Sequence, residues 1–257
     1  MTTLLVSTPL TLSQACDEVA ADLLVEAGWM NPPVDAFELA RQLGYEVAFD
    51  ASQQSRGRFK RLAGRPTMFL SPDDRPERLQ WAAAHEIGES AAWRVFERMD
   101  LDPDTAECDL REKVAAQLAT AILLPREPFE ADVRRCDGDV LGLKSRFVTA
   151  SHELILMSQL RMEALLLASV FDHGVLTRRR TNGRLTAPPL MTVEREAQLR
   201  AHMTGKSVVL TGRGVRVQAF PVHEAGWKRE LVRTTPVEET DVEELDIEYD
   251  TPGCEAE

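Results

Sequence analysis

The sequence predicts an α+β fold, in which several helices pack against a small sheet and a small α/β region follows toward the C-terminus. Apolar residues recur at helical spacing over three long segments of the first half, 12–28, 77–98 and 106–124. Short strand-like runs lie between the first two of these helices and again in the last third of the chain. With 257 residues, 44% of them hydrophobic and 28% charged, the chain is long enough to bury a sizeable core.

Each element of the N-terminal part has a local signal. Helix 12–28 ends at Gly28, and a second short helix, 34–43, follows the turn Asn31-Pro32-Pro33. The long helix 77–98 follows a loop with strong helix-start residues, and the helix 106–124 stops at Pro125 because proline cannot donate a backbone hydrogen bond. The strands predicted between the second and third helices are 45–49, 59–62 and 66–70.

The C-terminal part is less regular. A short helix is predicted at 129–135, and residues 140–163 predict two short helices with a tight turn near 149–151. The stretch from Arg178 to Pro189 is rich in Arg, Gly and Pro, which predicts a loop. Strands are predicted on either side of it, at 164–172, 207–210 and 215–220.

Charge and cysteine usage narrow the functional classes. The net charge is −12, but residues 237–257 hold ten Asp or Glu and no Lys or Arg, which leaves about −2 for the rest and predicts an acidic disordered tail. That body is not basic enough to indicate nucleic-acid binding. The cysteines are widely spaced, and no apolar run is long enough to span a bilayer, so we expect reduced thiols in a cytoplasmic protein without a membrane anchor.

The segment AAAHEIGES of the long helix has the spacing of a metal site. His85 and Glu89 are one turn apart on the same helix face, and Glu86 points about 100° away from His85. Two His ligands and a general-base Glu at this spacing make the zinc-peptidase signature HExxH, but here Glu89 stands at the second ligand position. The alternative is a helix face with ordinary charges. Gly88, inside the helix, predicts close approach by a neighbouring element.

A second block, EKVAAQLATAILLP from Glu112 to Pro125, lies about one helix further along the chain. Together the two blocks resemble the ImmA/IrrE family of bacterial metallopeptidases, and the similarity extends over about residues 15–165. The resemblance implies a zincin-like metallopeptidase domain at 1–135 and a helix-turn-helix-like segment at 136–170. A small C-terminal domain at 171–236 and the acidic tail at 237–257 complete the expected division.

The resemblance also implies roles for four residues. His85, Glu89 and Glu112 would be metal ligands, and Glu86 would be the general base that activates water. We expect zinc, with Mn or Fe(II) as alternatives because the ligand set is rich in carboxylate oxygen. Two interpretations need no metal: Glu89 is a solvated residue of an inactive remnant, or His85 is simply hydrogen-bonded to Glu112.

The implied function is that of a regulatory metallopeptidase, a hydrolase whose relatives cleave helix-turn-helix repressors and thereby release stress-response genes. The expected partner is a protein, such as a repressor of this type. Nucleic acid is not an expected partner, because only Lys144, Arg146 and Arg161 lend positive charge to the helix-turn-helix-like segment. The alternative is a non-catalytic interaction module that keeps the scaffold and has lost the metal site.

Overall fold

A computed structural model describes residues 10–62, 64–103 and 105–237 of the chain. The described residues form helices and two sheets, which confirms the predicted α+β class. The helices are α1 (Leu12–Glu26), α2 (Ala36–Gln42), α3 (Pro76–Arg98), α4 (Cys108–Leu123), α5 (Arg126–Arg135), α6 (Val140–Arg146), α7 (His152–Ser158) and α8 (Thr192–Thr204). The strands are β1 (Glu46–Phe49), β2 (Gly57–Leu62), β3 (Arg65–Leu70), β4 (Leu167–Asp172), β5 (Val175–Thr181), β6 (Val208–Gly212), β7 (Val215–Glu224) and β8 (Trp227–Pro236).

The N-terminal part packs α1 to α4 around a three-stranded sheet of order β1-β3-β2. Strand β1 runs parallel to β3, and β2 runs antiparallel to it as an edge strand. Proline at the first position of α3 suits a helix start, because its missing N–H would have no partner there. Pro125 follows the end of α4, as the sequence predicts. The buried stripes of α3 and α4 face each other and form much of this core.

The C-terminal part is a five-stranded antiparallel sheet of order β5-β4-β8-β7-β6 with helices on both faces. One face packs against α5, α6 and α7 through residues such as Val170 and Leu231. The other face packs against α8, whose Ala197 and Ala201 meet Phe171 and Val232. The predicted helix-turn-helix-like segment, which contains α6 and α7, therefore packs against this sheet.

Two sequence predictions differ from the structure in this part. Arg178 to Arg180 lie on β5 and not in a loop, because they alternate on an edge strand whose exposed positions tolerate charge. The strand predicted to end at 220 continues to Glu224 and turns directly into β8. Of the predicted acidic tail, residues 238–257 lie outside the described residues.

No helix within the described ranges is both long and apolar enough to cross a membrane. Cys16, Cys108 and Cys136 are free, and Cys254 lies outside the described residues.

Candidate functional site

The four residues predicted from the motif lie where α3 crosses α4 and meets the start of β2. His85, Glu86 and Glu89 are on α3, and Glu112 is in the second turn of α4. The Nε2 atom of His85 is 3.4 Å from Oε2 of Glu112, so the structure brings together one residue from each motif block. The His85 side chain is half-buried and that of Glu112 is exposed.

The close crossing of α3 and α4 depends on Gly88, as the sequence predicts. A Cβ atom added to Gly88 would lie 2.7 Å from the backbone oxygen of Ala115 and 3.0 Å from Cβ of Leu118. Contacts this short with backbone do not occur, so only glycine lets the two helix backbones come so near. That approach is what places Glu112 beside His85.

Glu86 is the buried member of the group. It is only 3% exposed, and its Oε2 atom has no hydrogen-bond partner among the described residues. Burial raises the pKa of Glu86 to about 7, and the negative charges of Glu89 and Glu112 add to the effect. A carboxyl group with that pKa can both accept and donate a proton near neutral pH.

Gly57, the first residue of the edge strand β2, makes room for this carboxylate. A Cβ atom at Gly57 would lie 2.1 Å from Oε1 and 2.6 Å from Cδ of Glu86. Gly57 was not predicted from the sequence, because it is 29 positions from Glu86 and only the packing of β2 on α3 brings the two together. The one local signal for a close approach was a glycine two positions before the predicted strand 59–62.

Glu89 is exposed, and His85, Glu89 and Glu112 do not form a group whose ligand atoms all lie within 4.8 Å of one another. Two features of the site favour binding of a metal ion. One is the imidazole and carboxylate pair contributed by neighbouring helices, and the other is the unpartnered buried oxygen of Glu86. Glu89 lies one turn from His85 on the same exposed face, so its side chain can turn toward His85 without displacing a buried group. The His85–Glu112 pair therefore fits a divalent cation, and Glu89 would complete the ligand set only by turning toward it.

A second cluster of ligand-type side chains, which was not predicted from the sequence, lies in the C-terminal part where α8 packs on the sheet. His202, His223 and Glu230 form the one group of three within the described residues whose ligand atoms lie within 4.8 Å of one another. They come from α8, β7 and β8, and neither α8 nor β8 was predicted. No local spacing could reveal such a cluster.

A cleft lies between the start of α3, α7 and the tip of the β7–β8 hairpin. Its lining includes Trp81, His152, Met157 and Trp227, but none of the four residues predicted from the motif. The α3–α4 site therefore lies outside this cleft.

Comparison with known proteins finds a family model that matches the part of the chain containing the motif residues. Residues 40–150 match the family model described as Peptidase_M78, IrrE N-terminal-like domain, which confirms the resemblance drawn from the two motif blocks. A solved structure of a Mycobacterium tuberculosis transcriptional regulator is similar, with a TM-score of 0.62 and 16% identity over 86% of this chain and 75% of that chain. At this identity the likeness shows the fold alone. Curated proteins gave no match.

Proposed function

We propose that this chain, whose residues 40–150 match the model of the IrrE N-terminal-like domain of the M78 peptidases, is a metal-dependent regulatory peptidase. The reaction is hydrolysis of a peptide bond, with Glu86 accepting the proton of the attacking water. The observation that carries the proposal is the buried Glu86 carboxylate, which has an unpartnered oxygen and a pKa near 7 beside the His85–Glu112 pair.

His85, Glu89 and Glu112 are the residues that would hold the cation, zinc or alternatively Mn or Fe(II). When bound, the ion supplies Lewis acidity and lowers the pKa of a water molecule. One neutral imidazole and two carboxylates balance a divalent charge, so we expect weaker acidity than a His2Glu ligand set gives.

The edge strand β2 gives a peptide substrate a place to bind. Among the described residues β2 pairs with a strand, β3, on one side only, so the backbone groups of its other side are available to an extended peptide. The strand begins at Gly57, directly over the Glu86 side chain. A peptide added along β2 would therefore pass the catalytic carboxylate. By resemblance, the substrate is a helix-turn-helix repressor.

Ion pairs within the molecule support a protein partner over nucleic acid. Lys144 contacts Glu77 at 2.7 Å, Arg146 contacts Asp132 at 2.7 Å, and Arg161 pairs with Asp17. The three cations of the helix-turn-helix-like segment are thus all paired with carboxylates of the same chain. Phosphate binding would have to break these pairs.

The test is cleavage of a candidate repressor by protein loaded with Zn²⁺, Mn²⁺ or Fe²⁺. Glu86→Gln keeps the shape of the side chain but cannot accept the proton, so we expect the rate to fall by about 10²–10⁴-fold. Glu97→Gln, a change at an exposed position of the same helix, is the matched control and should retain full activity. Full activity of Glu86→Gln would refute the mechanism.

The second candidate is a non-catalytic interaction module, favoured by the position of Glu89 outside a compact ligand group. The two functions differ in metal content at the α3–α4 site. A peptidase loses one metal equivalent on His85→Ala and loses cleavage with it. An interaction module shows the same metal content with and without His85 and still binds its partner.

A further inference from the structure

Glu230 of β8 is a buried carboxylate whose charged partners are histidines. It is fully buried, and among the described residues its ion-pair partners are two histidines and no Lys or Arg. Glu194, also fully buried and also at the interface of α8 with the sheet, shows the ordinary arrangement. Its two oxygens accept a fork of hydrogen bonds from Arg179, together with bonds from the Met191 N–H and the Thr234 hydroxyl.

The two histidines converge on one oxygen of Glu230. Nδ1 of His202 and Nε2 of His223 each lie 2.8 Å from Oε1. His202 comes from the last turn of α8, which ends at Gly205 with a φ of 63°. His223 is on the strand paired with β8, two positions diagonal to Glu230 in the register. Three regular elements therefore fix the three ligand-type atoms.

Gln198 fixes the remaining oxygen. It lies one turn before His202 on α8 and donates from Nε2 to Oε2 of Glu230 at 3.0 Å, in a fully buried contact. This bond holds the carboxylate in one orientation and leaves Oε1 directed at the two imidazoles. Supporting bonds of this kind orient carboxylate ligands in known metal sites.

The cluster is closed on the Glu230 side and open on the histidine side. The side chains of His202 and His223 are 28% and 22% exposed, whereas that of Glu230 is not exposed. An ion can therefore enter from solvent between the imidazoles, and water can complete its coordination.

We propose that His202, His223 and Glu230 form a zinc-binding site in the C-terminal sheet, with water as the fourth ligand. Two imidazoles, one carboxylate and a water are an established ligand set for zinc. Ligand atoms around a tetrahedral zinc lie about 3.3 Å apart, so each 2.8 Å nitrogen–oxygen contact would have to open by about 0.5 Å, and all three ligand atoms already lie within 4.8 Å of one another. The site lies outside residues 40–150, and it is independent of the α3–α4 site.

The test uses the full chain with His85→Ala, which removes the first motif ligand and isolates the second site. We expect this protein to bind one Zn²⁺ in calorimetric titration and to show the absorption of a four-coordinate Co²⁺ complex. Bound zinc should raise its melting temperature by about 5–10 °C at a free concentration about 100-fold above the dissociation constant.

Two conservative variants in the same background remove the ligands without removing the hydrogen bonds. His202→Asn places an amide N–H near the position of Nδ1, and His223→Gln does so near Nε2, so each can still donate to Glu230. We expect each to fold as the parent does, by circular dichroism, and to bind zinc at least about tenfold more weakly. His173→Asn, at an exposed turn of the same domain, is the control and should bind zinc as the parent does.

The outcomes separate a metal site from a purely structural cluster. If the two histidines serve only to satisfy a buried carboxylate, zinc produces no binding heat, no cobalt spectrum and no rise in melting temperature in the parent. That result overturns the proposal, as does zinc binding that both ligand variants retain in full.

Discussion

At the scale of single residues, the contact between Gly57 and Glu86 decides where the proposed base lies. Gly57→Ala puts a methyl group where the Glu86 carboxylate now is, 2.1 Å from Oε1. The side chain is flexible and must move, whereas the backbone need not. We therefore expect a folded protein with cleavage reduced by about 10²-fold, since a displacement of about 1 Å can cost this much.

The matched control is Gly212→Ala on β6, whose Cβ would meet only Cγ2 of Val193 at an ordinary 3.8 Å. It should leave the cleavage rate unchanged. If Gly57→Ala cleaved as fast as the wild type, Glu86 could not be acting from its observed position.

A single substitution should strengthen zinc binding at the α3–α4 site. Glu89→His converts the HExxE segment to HExxH and replaces a charged oxygen ligand with a neutral imidazole. We expect zinc affinity at this site to rise at least about tenfold, with preference moving from Mn²⁺ toward Zn²⁺. Competition with a chromogenic chelator, in a His202→Asn background, measures it, and Glu97→His serves as the control. Unchanged affinity would mean that position 89 does not face the ion.

Glu86 also predicts a pH dependence of stability in metal-free protein. Its pKa in the folded state is about 7, raised from 4.5, so the folded protein binds the proton more tightly than the unfolded chain. The stabilisation from this proton is complete below about pH 4.5 and is lost as the pH rises to about 7. The side chain introduced by Glu86→Gln does not titrate, so the stability of the variant does not fall with pH in this way. The free energy of unfolding of the variant, measured relative to that of the wild type, should therefore rise by up to about 3 kcal/mol between these pH values.

Urea unfolding in the presence of a chelator, at several pH values, measures the difference. Above pH 7 the difference in free energy of unfolding between Glu86→Gln and the wild type should stop increasing. The corresponding difference for Glu97→Gln should not change comparably with pH. A difference that stayed constant from pH 4.5 to 8 would mean that the Glu86 carboxyl is not held protonated by its burial.

Residues of the α3–α4 site could be predicted from sequence only where helical geometry carried the information. His85, Glu86 and Glu89 share one helix, and the second block places Glu112 on the next. Gly57, His202, His223 and Glu230 meet their partners through tertiary packing across elements, which residue spacing does not encode.

At the scale of secondary-structure elements, the crossing of α3 and α4 is the feature on which the site depends. Gly88→Ala would push a methyl group to within 2.7 Å of the Ala115 backbone oxygen, and backbone cannot rotate away. Alanine favours a helix by about 1 kcal/mol, but overpacking costs about 1–3 kcal/mol, so we expect a net loss of stability. The separation of His85 from Glu112 should also increase, with weaker metal binding.

Gly142→Ala, on the exposed side of α6, is the control, since the nearest contact of its Cβ would be Oδ2 of Asp139 at 3.0 Å, a side-chain oxygen other than the one that caps the helix at the Leu141 N–H. It should be neutral or slightly stabilising in urea unfolding. Equal effects of the two alanines would show that helix propensity, and not the crossing, determines the result.

Elements were predicted from sequence where their buried faces are apolar and were missed where those faces are polar. The buried side of α8 consists of Glu194, Ala197, Gln198 and Ala201, which does not read as an amphipathic stripe. β5 is an Arg-rich edge strand, and β8 carries the buried Glu230 within a charged segment. In each case tertiary partners, which the sequence does not show, satisfy the polar groups.

At the scale of the whole molecule, Asp17 joins the N-terminal helices to the region that leads into the C-terminal sheet. It lies on α1 and pairs with Arg126 of α5 at 3.2 Å and with Arg161 of the 3-10 turn Gln159–Arg161 after α7. Its side chain is only 9% exposed, so removing its charge would take away the carboxylate that pairs with Arg161, whereas Arg126 would keep its second partner, Glu130, at 2.8 Å. Losing one partner of a largely buried pair is costly, whereas an exposed pair contributes little.

We therefore expect Asp17→Asn to lower the free energy of unfolding by about 1–3 kcal/mol. Glu18→Gln, the next residue of α1, is the matched control: its carboxylate is 46% exposed and pairs with Arg98 at 2.8 Å, so its loss should cost less than about 1 kcal/mol. Urea unfolding followed by both tryptophan fluorescence and circular dichroism measures the two effects. Because Asp17 links the two parts, the two signals should separate into different transitions in Asp17→Asn while remaining coincident in Glu18→Gln. Coincident transitions with unchanged midpoints in both variants would show that the apolar contacts alone hold the two parts together.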